Sequence, residues 1–167
     1  MKTEEFTKRA IEEKISTMGD YVKIGYLSNC LKRNLDFDSR RFVLTTISTL
    51  YEERKMFADA GKMINFAAEI NTTFNGKIRD YLKSVDLFIK SGNFDEAEIA
   101  IKKTLTSANL SQKDEIKRRY KEMYKAQVQE YLSKDKRKNV VETYETLLKL
   151  DLGELEKILV QPYISTK

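Results

Sequence analysis

The chain has 167 residues, 41% hydrophobic and 34% charged, with 31 Lys and Arg against 26 Asp and Glu for a formal net charge of +5. That length suits one domain with its own core, and the balance fits neither a disordered chain nor a membrane-spanning one, which needs about 20 consecutive apolar residues. There is no histidine and a single cysteine, Cys30, which excludes an intramolecular disulfide, a cysteine-based metal site and the commonest general base.

Only six glycines and one proline, Pro162, punctuate the chain, so an almost wholly helical protein is predicted. Met1 to Thr17 mix Lys and Glu with apolar residues at helical spacing, without the continuous apolar block of a secretory leader, and a cytoplasmic protein is the expectation. Gly19-Asp20-Tyr21 reads as a turn, followed by core positions Ile24 and Leu31, with Cys30 as a small buried apolar residue between Leu27 and Leu31. Gly25 and Gly61 lie inside helical patterns and mark close approach of helices. The next apolar stripe is Leu44, Ile47, Ser48 and Tyr51, then Phe57, Ala60, Ile64 and Ala67, with Lys55 at the turn between them.

From Arg79 to Lys90 the stripe is Tyr81, Leu82, Val85, Phe88 and Ile89. Gly92 closes that helix, and Asn93 caps a second one from Phe94 to Ser107, with Asp95 and Glu96 in its first turn. Ser111 with Asp114 resembles a capping box, so Gln112 to Leu132 reads as one long helix with Ile116, Tyr120, Met123, Tyr124, Val128 and Tyr131 on its apolar side. Lys134-Asp135-Lys136 makes the next turn, before Val140, Tyr144 and Leu147. A short helix, Leu152 to Val160, and a tail, 161–167, end the chain.

Ile24, Ala60, Ala97 and Val140 occupy equivalent places at intervals of 36, 37 and 43 residues. The unit around Gly92, Asn93, Phe94, Ala97 and Ile101 resembles the second half of a tetratricopeptide repeat, and Tyr81 and Phe88 fall where that family prefers aromatic residues. Val85 and Thr104 depart from its small residues, and the intervals exceed its unit of about 34. The resemblance covers roughly residues 5–154. It implies an all-α fold: a right-handed α-solenoid of about four helix-turn-helix pairs over residues 1–160, with Leu152 to Val160 as capping helix.

The resemblance also implies a scaffold that binds a protein or peptide, a second copy of the chain being one candidate; the lack of histidine, of metal-spaced acids, of a glycine-rich phosphate loop and of a long apolar run adds the expectation that it is non-enzymatic, with neither metal nor cofactor and no membrane partner. In the family the inner helices line a groove, and some members clamp a carboxylate tail. The clamp positions fall on Arg9, Glu13, Thr46, Arg79 and Lys83, which keeps the cations and loses both asparagines. Groove candidates are therefore Arg9, Thr46, Thr49, Arg79 and Lys83, suited to an acidic segment.

The whole charge excess lies between Gln112 and Lys138, with ten basic residues against five acidic ones, while the remainder balances at 21 of each. Lys113, Lys117, Lys121 and Lys125 recur at four-residue steps, followed by Lys136, Arg137 and Lys138. Such a row is either a solvated face or the contact for RNA or another acidic surface. The tyrosines of this segment lie on its apolar stripe, which predicts burial rather than stacking on bases.

Overall fold

Residues 6–151 are described by the computed structural model, and they form eight helices: α1 (Lys8–Ser16), α2 (Asp20–Leu31), α3 (Phe37–Glu53), α4 (Phe57–Ile70), α5 (Phe74–Ser91), α6 (Phe94–Thr106), α7 (Leu110–Ser133) and α8 (Arg137–Asp151). No strand occurs among the described residues. The predicted capping helix and tail lie outside them. No described helix is long and apolar enough to cross a membrane.

The odd-numbered helices begin in one way and the even-numbered in another. Thr7, Asp36, Thr73 and Asn109 each accept a hydrogen bond from the backbone N–H three residues on, which satisfies a helix donor that has no partner in its own helix. The backbone N–H of Ser39 accordingly holds the Asp36 carboxyl below its usual range. On α7 the cap is a full box between Asn109 and Gln112, so the helix starts two residues before the predicted Gln112, and the predicted cap, Ser111, is already inside it. By contrast α2, α4 and α6 start without a side-chain cap.

Instead, α4, α6 and α8 are entered through the same left-handed turn. Lys55, Gly92 and Asp135 have φ of 59°, 77° and 50°. The following N–H then reaches back to an aromatic residue's carbonyl: Met56 to Tyr51 at 2.9 Å, Asn93 to Phe88 at 3.0 Å and Lys136 to Tyr131 at 2.9 Å. This closure satisfies helix-end carbonyls that would otherwise lack donors. The three turns each lie five residues before Ala60, Ala97 and Val140. Gly19, aligned with them on sequence, is extended at φ −71° and starts α2 instead.

The core forms three clusters in chain order. The first joins α1, α2 and α3 around Ile11, Leu27, Cys30 and Val43; the second joins α3, α4 and α5 around Ala60, Ala67 and Leu87; the third joins α5 to α8 around Val85, Phe88, Ala97 and Tyr124. Helices α2 to α6 pack chiefly on their neighbours in sequence, whereas α1 meets α3 rather than α2, and α7 meets α5 as well as α8. Cys30 is buried as predicted, and burial pushes its thiol pKa up. Of the two glycines read from sequence as close approaches, only Gly61 is one, against the Phe88 ring. Gly25 is exposed with open space around it. In α8 Leu147 is buried as predicted, whereas Tyr144 is 50% exposed and Thr143 is buried in its place.

A left-handed residue other than glycine costs about 1–2 kcal/mol, partly offset by the ~0.5–1 kcal/mol entropy penalty of glycine. Lys55→Gly and Asp135→Gly should therefore each raise the unfolding free energy by about 0.5–1 kcal/mol, and Gly92→Ala should lower it by about 1 kcal/mol, read by urea denaturation. A methyl group on Gly61 would lie 2.8 Å from the buried Phe88 ring, so Gly61→Ala should cost about 1–3 kcal/mol. Gly25→Ala, in an open helical position, should gain about 0.5–1 kcal/mol on the same assay.

Candidate partner-binding surface

Apart from Arg9 on α1, the residues singled out from sequence fall on two surfaces: the faces of α3 and α5 that meet solvent side by side, and the basic side of α7 with the start of α8. Beyond Phe74 and Asn75 at the start of α5, the exposed side chains of this helix are Arg79 and Lys83, with Asp86 and Lys90 half-buried in line with them. Lys83 Nζ reaches across to Glu52 Oε1 of α3 at 2.7 Å, and Lys90 pairs with Asp86 at 2.7 Å. Arg79 Nε lies 3.3 Å from Asp80 Oδ1. Thr46 and Thr49 also lie on α3, but their hydroxyls donate to the carbonyls of Phe42 and Thr45, one turn back.

Thr46, Thr49, Arg79 and Lys83 are thus brought onto adjoining helices, whereas Arg9 is not joined to them. It lies on α1, highly exposed, and pairs with Glu13 at 3.0 Å. Each cation at a clamp position faces a carboxylate of this chain: Arg9 faces Glu13, Arg79 faces Asp80 and Lys83 faces Glu52. The face is polar and locally neutral. An incoming carboxylate would have to compete with these pairs, which, being partly exposed, exchange at little cost.

On α7 the predicted burial of the tyrosines holds: Tyr120, Tyr124 and Tyr131 are all inside, which leaves no tyrosine ring of this helix free to stack on a base. Lys117 and Lys125 are exposed, whereas Lys113 and Lys121 are half-buried. Arg118 bonds Glu115 at 2.7 Å and Glu122 at 3.0 Å, which holds the Glu115 carboxyl below its ordinary range. Lys134 does the same for Glu130 at 2.5 Å. Lys136 stands 6.0 Å from the Tyr131 ring centre, Arg137 pairs with Asp135 at 3.1 Å, and Lys138 is exposed. The row is therefore broken into single exposed cations separated by local pairs.

Two surface clefts were not foreseen. One, of about 510 Å³, lies between the α5–α6 turn and α8, lined by Asp95, Glu96, Glu142 and Glu145 with Lys62 and Lys149. The other, of about 610 Å³, lies between the α4–α5 and α6–α7 loops and has no charged residue in its lining. No group of three His, Cys, Asp or Glu side chains suited to a metal ion occurs among the described residues. No family model matches the chain, and no curated protein or solved structure matches it.

Tyr124 is the largest fully buried side chain, its ring tilted against Phe94 at 5.8 Å, and its hydroxyl has no hydrogen-bond partner among the described residues. Burial raises its pKa, as it does for Tyr81 and Tyr131. A raised folded-state pKa means a contribution that is complete below the unfolded value of about 10 and is lost as pH rises past it. Tyr124→Phe should add about 1 kcal/mol at neutral pH by removing an unpaired buried hydroxyl. It should also move the alkaline unfolding transition to higher pH, followed by circular dichroism.

Proposed function

We propose that this chain is a non-enzymatic scaffold of the tetratricopeptide-like kind, a right-handed α-solenoid of about four hairpins that holds a protein or peptide partner. The observation that carries this reading is the turn repeated at Lys55, Gly92 and Asp135, with the same backbone closure onto Tyr51, Phe88 and Tyr131. Packing that runs mainly between sequence neighbours supports it, since a stack of repeats grows in that way. The helix faces left open by such packing supply the contact surface, and the open stripe of α5 beside α3 is one of them.

A second reading places RNA or another acidic surface on α7, favoured by the exposed Lys117, Lys125 and Lys138, which carry no ion pair among the described residues. Affinity capture on the tagged chain, followed by nuclease digestion, separates the two. A scaffold retains a stoichiometric protein partner after digestion. For the RNA reading, bound material is lost, and Lys117→Glu with Lys125→Glu lowers the salt dependence of binding by about one unit of slope for each phosphate contact removed.

A further inference from the structure

Helices α3, α5 and α7 share more than their caps. At the first helical position after the capping residue each carries a large apolar side chain: Phe37 after Asp36, Phe74 after Thr73 and Leu110 after Asn109. Their exposure rises along the chain from 39% through 73% to 84%. Single exposed apolar residues are ordinary on a protein surface. The same helix position used three times in succession, one repeat apart, is a row along one edge of the molecule. Three residues further on, and hence on the same side of each helix, stand Arg40, Lys77 and Lys113.

Between the second and third members of the row lies the uncharged groove. Thr73, Phe74 and Asn75 form one wall and Thr106, Ser107 and Asn109 the other. Gln112 Nε2 donates to Asn75 Oδ1 at 3.0 Å and ties the two loops together. Through Thr106 and Ser107 the groove continues into a shallower one beside Tyr81 and Ile99, the latter 48% exposed. There Lys102 is paired with Glu98 and Lys103 with Glu69, each at 2.7 Å. Lys77 and Lys113 carry no ion pair among the described residues, so their charge is uncompensated at this edge.

We propose that the edge from Phe74 to Leu110 docks an acidic peptide segment of a protein partner. Apolar side chains of that segment lie against Phe74, Ile99 and Leu110, and its carboxylates face Lys77 and Lys113. The hydroxyl and amide groups of the groove exchange hydrogen bonds with the peptide backbone. An anionic lipid surface would meet the same cations and apolar residues, but only a peptide brings a regular row of backbone donors and acceptors to the hydroxyl and amide groups of the groove. This inference rests on the reading of the chain as a protein-binding scaffold, and places the contact on the loop edge rather than on the α3–α5 face.

The test is amide chemical-shift mapping on the 15N-labelled chain with three probes: a soluble Asp- and Glu-rich peptide carrying two Leu residues, the same peptide with Lys for each acid, and phosphatidylcholine–phosphatidylserine vesicles. The acidic peptide should shift residues 72–77 and 99–113, with a dissociation constant on the order of 0.1–1 mM. K77E/K113E should weaken it at least about tenfold, the electrostatic loss expected when attraction at both sites becomes repulsion. Phe74→Ala with Leu110→Ala should weaken it similarly; all four positions are partly or fully exposed, so the fold, checked by circular dichroism, should persist. Equal response to the Lys peptide, preferential response to vesicles, or no shift at millimolar peptide overturns the proposal. Shifts confined to Thr46, Arg79 and Lys83 overturn the edge while leaving the scaffold reading intact, and nuclease-sensitive capture removes the scaffold reading itself.

Discussion

One buried carboxylate sets the geometry on which the rest of the molecule is arranged. Asp80, 4% exposed near the start of α5, accepts from Arg41 Nη1 of α3 at 2.6 Å and from Asn71 Nδ2 of the α4–α5 loop at 3.1 Å, with Arg79 Nε 3.3 Å from its other oxygen. Arg41 Nη1 also donates to the Ala67 carbonyl near the end of α4 at 3.3 Å. The Asn71 carboxamide in turn accepts from the backbone and hydroxyl of Thr73 and lies against Gly76, where a methyl group would collide with it. A charge this deep is tolerable only when fully paired, and the bonds from Arg41, Asn71 and Arg79 supply that pairing while joining α3, the end of α4 and α5. Because α3 and α5 each belong to two of the three core clusters, the arrangement chosen here is passed to the helices on both sides.

The same demand for pairing decides which surfaces remain open to a partner. Along α3 and α5 the charges nearest the Asp80 cluster are drawn into bonds with one another, and the threonine hydroxyls are turned onto their own helix. Their first attraction is already met. On the loop edge the opposite holds: Lys77, Lys113, Phe74 and Leu110 take no part in the core or in the pairs that organise it. Groups that the fold does not use are the ones whose binding energy is free for something else.

Legibility in the sequence followed the range of the interaction. Helical periodicity and burial of the tyrosines on α7 are local properties, and Ile116, Tyr120, Tyr124 and Val128 lie inside as their spacing predicts. Gly25 and Gly61 look alike in sequence, yet only Gly61 meets another helix, because closeness depends on Phe88, twenty-seven residues away. The turn at Gly92 announces itself, while Lys55 and Asp135 adopt the same conformation with unsuitable side chains. There the hairpin's packing outweighs a local cost of about 1–2 kcal/mol. The row of Phe37, Phe74 and Leu110 was present in the sequence, but it became visible only once the caps before them were placed.

The last pair of helices departs most from the regular pattern, and its length explains how. At 24 residues α7 exceeds α5 by six, close to two turns and about 9 Å of helix. The α7–α8 turn is carried correspondingly far along α7. Glu142, Glu145, Thr146 and Lys149 of α8 then border the acidic cleft beside the α5–α6 turn. Thr143 and Leu147 find the core, Tyr144 does not, and α6 meets α7 only lightly. Packing is therefore closest among α3, α4, α5 and α6 and lighter between α6 and α7, and Phe37, Phe74 and Leu110 grow more exposed in chain order. The caps at Asp36, Thr73 and Asn109 are evenly spaced, so the added length of α7 falls at its far end, while the groove between Phe74 and Leu110 is set at the near end by the loops that Gln112 and Asn75 tie together.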